Sequence, residues 1–216
     1  MNAGSGPAGT DGTRPDGTRP DGTRPDGTRP DGGQAVATGR LTVLAEAAWP
    51  EPGDGAPPPV PGFVHSSFPP LVAAVAERCL TRAYDGRPAP DGERTAVVLA
   101  SAAGDRASAA HVRATVAAGS RPGPLFFFQS VPNSVAGHVA ARWGLGGPVV
   151  CLAPTGDPRD EGIAEVDLLL HDGDADRALL VLIEQAPDDG GARDPGTDGA
   201  PGARAVAVLL GGGDTP

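Results

Sequence analysis

The run RALLVLIEQA, Arg177 to Ala186, constrains this chain most. From Ala178 to Ile183 every residue is apolar, without the polar alternation of a strand that has one wet face. Successive side chains of a strand point to opposite faces, so such a run is covered on both sides. The sequence around it supplies the cover. Apolar strands alternate with segments of helical period, the pattern of an α/β fold with a mostly parallel sheet and helices on both faces.

The elements read along the chain as follows. LTVLAEAAW, from Leu41, is a first strand ended by Pro50. Ser66 or Ser67 then caps a helix with Pro69 and Pro70 in its first turn. Its apolar stripe takes in Leu71, Val75, Cys79 or Arg78, and Leu80. RTAVVLASA is a short buried strand, and Asp105 or Ser108 opens a helix running to Gly119. SVAGHVAARWG places Val135, Val139 and Trp143 on one helical face, with Gly144 as its stop. PVVCLAP is a strand, DEGIAEVDLLLHDG a helix, and ARAVAVLLGGG a last strand that joins its predecessor antiparallel. The predicted order is β-α-β-α-α-β-α-β-β, with five strands.

Composition limits where this order extends. The 33 glycines and 25 prolines concentrate in the first forty residues, around 51–62 and around 187–202. DGTRP repeats four times between Asp11 and Pro30. A proline every fifth residue removes amide donors and Asp-Gly favours turns, so neither helix nor strand propagates. We expect a disordered leader over 1–39, one domain over 40–211 with a disordered insertion at 187–202, and a tail at 212–216.

The formal charge of −10 argues against nucleic acid, whose phosphates need a basic face. No apolar run reaches the roughly 20 residues that span a bilayer. The N-terminus has no apolar signal segment, and Cys79 and Cys151, far apart in apolar surroundings, suit buried free thiols. A cytoplasmic protein is expected.

Tests for chemistry return little. GLGG, Gly144 to Gly147, lacks dinucleotide spacing and precedes a strand rather than following one. The chain has no lysine, which removes Schiff-base and phosphate-clamp chemistry. His65, His111, His138 and His171 lack i,i+4 partners and the cysteines lack a CxxC, so no metal is expected, nor any other cofactor. Ser134 and His138 share a helical face at i,i+4, but there is no nucleophile elbow. Cys151 lies within a strand with no nearby base to activate it.

One stretch is more specific. In PLFFFQSVPNSVAGHVAARWGLGGPVVCL, the residues Pro124, Phe127, Ser130, Val131, Asn133 and Gly137 match a pattern of short β-ketoacyl synthase-like proteins. Order and spacing from about Arg40 to Gly211 resemble the N-terminal half of those condensing enzymes. The resemblance implies a three-layer, thiolase-like half with a mixed, mostly parallel five-stranded sheet. It also implies a nucleophilic cysteine eight residues beyond the Gly-Pro proline. From Pro148 that count lands on Gly156, and Cys151 comes five residues too early. Glycine has no side chain to accept an acyl group. The family's second half, source of two catalytic histidines, has no counterpart in these residues.

The resemblance therefore points to a non-catalytic subunit similar to a chain length factor, with no catalytic residue of its own. Its partner would be an active ketosynthase or a second copy of itself, with an acyl carrier protein reached through the complex. The strand Pro148, Val149, Val150, Cys151, Leu152 and Ala153 would pair across the subunit interface. Phe126, Phe127 and Phe128 cannot all point inward, and one or two would line that interface or an acyl tunnel. The rival expectation is an enzyme acting through Cys151 or through Ser134 and His138.

Overall fold

The computed structural model describes residues 41–185 and 202–213. The DGTRP leader and nearly all of the 187–202 tract lie outside them. Ten elements follow in order: β1 (Leu41–Trp49), α1 (Phe68–Ala83), β2 (Thr95–Ala100), α2 (Arg106–Ala117), α3 (Pro124–Ser130), α4 (Pro132–Trp143), β3 (Val149–Leu152), α5 (Pro158–His171), β4 (Arg177–Glu184) and β5 (Arg204–Gly212). All five predicted strands are present. The short helix α3 is an addition, formed by the triple-phenylalanine segment itself.

The strands form one mixed sheet in the order β1-β5-β4-β2-β3. β2 lies parallel to both β3 and β4, while β5 is antiparallel to β4 and β1. Because β1 and β4 both run against β5, β1 to β4 share one direction, the mixed, mostly parallel sheet expected. Only β5 of the sheet runs against the others, returning beside β4 and taking β1 on its far side.

The apolar run of β4 behaves as its composition requires. Leu179, Val181 and Ile183 face a core shared with α1 and α4. Ala178, Leu180 and Leu182 face the opposite core, under Val166 and Leu169 of α5. These are three layers, helix–sheet–helix. Trp143 is fully buried against α1, and its indole N–H donates to Glu77 Oε2 at 3.0 Å, so its polar edge is satisfied. On α1, Leu71, Val75, Cys79 and Leu80 are buried, whereas Arg78 turns outward and binds the Asp54 carboxylate at 2.7 and 2.8 Å.

The GLGG cluster has a packing role. Gly144 ends α4 in the left-handed region at φ 71°. Gly147 then runs so close to β2 that a Cβ there would meet the Thr95 carbonyl at 2.7 Å, and its N–H donates to that oxygen at 3.1 Å. This fixes where β3 begins.

Candidate functional site: the edge strand β3 and the turn that follows it

Among the described residues β3 closes one edge of the sheet, pairing only with β2. Val97 N–H donates to Pro148 O at 2.8 Å and Ser101 N–H to Leu152 O at 3.1 Å. In a parallel ladder this directs the backbone groups of Pro148, Val150 and Leu152 toward β2, and those of Val149, Cys151 and Ala153 away from the sheet. No described side chain bonds to these outward groups. Such an edge is a template for a further strand.

The opposite edge, β1, is treated differently. Its Ala48 carbonyl accepts from Arg78 Nη1 at 2.8 Å and its Glu46 carbonyl from Arg82 Nη1 at 2.8 Å. The Ala48 N–H donates to Glu51 Oε1 at 3.4 Å, and the register shifts between Val43 and Ala45. Arg82 holds the Glu51 carboxyl below its ordinary range, and Arg78 does the same for Asp54. Charge and a bulge thus block β1, and among the described residues nothing comparable blocks β3. Sequence reasoning missed this contrast, because the capping arginines sit 30 and 36 residues from the carbonyls they cover.

Between β3 and α5, Gly156 lies in an exposed turn, two residues before the helix begins at Pro158. The chain's own acids fill the turn's amides. Glu161 Oε1 accepts from Thr155 N–H at 3.0 Å and from Gly156 N–H at 2.5 Å. Asp157 caps α5, accepting from Arg159 N–H at 2.8 Å and Asp160 N–H at 3.0 Å. A helix start filled this way leaves few donors for a developing oxyanion.

The rival nucleophiles are poorly placed. Cys151 lies mid-strand and half-buried, where burial pushes its thiol up to about 11. Cys79 is buried on α1 and likewise raised to about 11 by desolvation. Ser134 and His138 share α4, but no hydrogen bond joins their side chains, and the His138 ring stands edge-on to Phe63 at 6.1 Å. Among the described residues no group of three His, Cys, Asp or Glu side chains could hold a metal.

The phenylalanines divide by helical angle. Phe126 is buried (6 % exposed) against His65 and His111, at ring-centroid distances of 5.2 and 4.6 Å. Phe127 and Phe128 project outward at 66 % and 64 % exposure. They lie edge to face, 6.0 Å apart. A separate cavity of about 960 Å³ opens beside Trp49, Phe63, Leu71 and Arg204, and none of the sequence-selected site residues lines it.

A family model described as "Beta-ketoacyl synthase, N-terminal domain" matches residues 72–215. No curated protein matches significantly in sequence. Among solved structures, the fold is similar to a ketosynthase (ApeO) in complex with its chain length factor (ApeC) from Xenorhabdus doucetiae. That match has 19 % identity and a TM-score of 0.59 over 81 % of this chain and 79 % of the other. The ishigamide ketosynthase/chain length factor matches at 16 % identity and TM-score 0.61, covering 80 % and 62 %. A type II acyl-carrier protein in complex with its ketosynthase (AntDE:AntF) matches at 13 % and 0.53, covering 80 % and 63 %. The chain thus spans less than two thirds of the latter two. No helix among the described residues is long and apolar enough to cross a membrane.

Proposed function

The chain belongs to the β-ketoacyl synthase N-terminal domain family, and we propose that within it this protein is a non-catalytic, chain-length-factor-like subunit that pairs with an active ketosynthase. The reading rests on the open edge of β3, whose outward backbone groups at Val149, Cys151 and Ala153 have no partner among the described residues. A synthase subunit presenting its own edge would complete those hydrogen bonds by strand addition. Gly156, at the end of the same segment, leaves the pair one nucleophile, carried by the partner.

In such a pair this chain acts by shape. Phe127 and Phe128 project from α3, which leads directly into α4, and α4 packs beside β3. Aromatic side chains there are suited to lining the subunit interface or the channel for a growing acyl chain, in polyketide, aryl-polyene or fatty-acid-like synthesis. The acyl carrier protein would deliver its thioester to the synthase subunit. Ser134 and His138, whose side chains share no hydrogen bond among the described residues, and the raised thiol of Cys151 give no support to an independent enzyme.

Co-expression with each active ketosynthase of the source organism, followed by size-exclusion chromatography with light scattering, tests the proposal. A stable one-to-one complex is expected. A chain that elutes as a clean monomer beside every one of them refutes the pairing.

A further inference from the structure

The cavity of about 960 Å³ beside Trp49 lies where β1 ends and β5 begins, at the carboxyl end of the four strands that share a direction. Crevices outside the carboxyl ends of such strands are where open α/β sheets hold ligands. The loop after β1, the start of α1 and the start of β5 form its walls. All but three of its lining residues precede residue 72, where the family match begins. β1 and β3 are opposite edges of the sheet, so the cavity is separate from the edge assigned to pairing. Its volume falls in the range of small-molecule sites.

The groups on these walls decide what can enter. Trp49, Val60, Phe63 and Leu71 are apolar, and five prolines, Pro50, Pro57, Pro59, Pro61 and Pro70, contribute no N–H. Asp54, the acid among the lining residues, is taken by Arg78 at 2.7 and 2.8 Å and by the Glu51 N–H at 2.6 Å. Ser66 Oγ donates to Asp105 at 2.6 Å and accepts from Phe68 N–H at 3.1 Å. A helix start ordinarily attracts anions. In α1, however, Phe68 N–H is held by Ser66, Leu71 N–H donates to the Ser67 carbonyl at 3.1 Å, and Pro69 and Pro70 have no N–H. Arg204 also lines the cavity. Its strand neighbours Ala205, Ala207 and Leu209 face the core shared with α1, so alternation turns Arg204 to the opposite face, beside its cross-strand neighbour Glu184. Two side-chain donors remain. The Ser67 hydroxyl makes no cap bond, and the Trp49 indole N–H bonds to no described residue, while Arg78 lies over the Trp49 ring at 4.2 Å.

We propose that this cavity binds an uncharged apolar molecule with a carbonyl acceptor, a medium-chain ester or ketone, whose oxygen is received by the Trp49 N–H and the Ser67 hydroxyl. A carboxylate or phosphate would meet neither a cation facing the cavity nor an open helix start. An ammonium group would meet a carboxylate already held by Arg78. Either ion would lose its hydration against proline and aromatic walls without a partner, which is costly. A neutral apolar chain gains by leaving water, and its acceptor satisfies donors the fold leaves unused. Such a site works independently of the pairing with a synthase.

Titrating the full chain with methyl octanoate, octanoate and octylamine, read by tryptophan fluorescence and by calorimetry, tests the assignment. The chain has two tryptophans, and Trp143 is fully buried with its N–H on Glu77, so a fluorescence change reports Trp49. The ester is expected to give a saturable change that Trp49→Phe removes, and to bind about tenfold or more tighter than either ion. Ser67→Ala, which removes a donor but no cap, should weaken the ester by about threefold to tenfold. Val64→Asp, at an exposed position on the wall, should weaken it by about tenfold or more. Arg204→Ala should leave the ester affinity unchanged. Circular dichroism verifies that each variant folds. Octanoate binding as tightly as the ester, with Arg204→Ala abolishing it, overturns the uncharged class, as does equal binding of octylamine. A change that never saturates and is the same in Val64→Asp is partitioning onto the surface and overturns the site, as does the absence of any signal in both measurements. None of these outcomes alters affinity for a synthase, so the pairing is judged separately.

Discussion

β1 and β3 are the two edges of one sheet, and the chain spends very different resources on them. β1 is long, bulged near Leu44 and capped on its carbonyls by Arg78 and Arg82, which Asp54 and Glu51 hold in place. β3 is four residues long, regular and, among the described residues, uncapped. Exposed edges invite aggregation unless they are blocked. Among the described residues one edge is blocked by an ion-pair network and the other is open, the contrast on which the proposed pairing rests.

The sharpest way to break this comparison is Val149→Pro. It removes an outward amide from β3 without touching the ladder to β2, so the melting temperature should barely change. Affinity for the synthase should fall by about tenfold or more, read by calorimetry. Next in size is the converse change at β1. Arg78→Ala with Arg82→Ala uncovers two carbonyls and strands Asp54 and Glu51 without their cations. It should lower the melting temperature and add concentration-dependent oligomers, seen by light scattering, that β3 variants do not suppress.

Acid should reach the same edge by another route. The folded-state values of Glu51 and Asp54 are depressed below their ordinary 4.5 and 3.8 by Arg82 and Arg78 respectively. Their contribution is therefore fully present above those ordinary values and is lost as pH falls below them, through the folded-state values. Self-association through β1 should appear only in that acidic window, and the Arg78→Ala, Arg82→Ala variant should show it already at neutral pH.

Two smaller effects concern the β3–α5 turn and the strand thiol. Glu161→Ala leaves the Thr155 and Gly156 amides to water and should cost about 1 kcal/mol in chemical denaturation. Cys151→Ala should leave the product profile of a reconstituted synthase pair unchanged. Cys151 itself, raised to about 11 by burial, should react slowly with iodoacetamide near neutral pH.

Much of this fold is legible in the sequence because the signals are local. The unbroken apolar run of β4, Gly144 at the end of α4 and the Asp105 cap of α2 each announce themselves within a few residues. α3 escaped because three phenylalanines carry no helical period, and its start depends on Pro124 following Gly123. The blocked state of β1 depends on contacts between residues 30 and 36 apart, which no window of sequence displays. The resemblance to condensing enzymes located the β3–α5 turn through the count from Pro148 to Gly156. It did not anticipate that Glu161 would occupy the amides there.

Native mass spectrometry of the chain with its cognate ketosynthase, after incubation with an acyl-loaded carrier protein, tests the account most directly. The prediction is a one-to-one complex in which the acyl mass is found on the synthase subunit alone. An acyl adduct on this chain, formed with or without the partner, would contradict it.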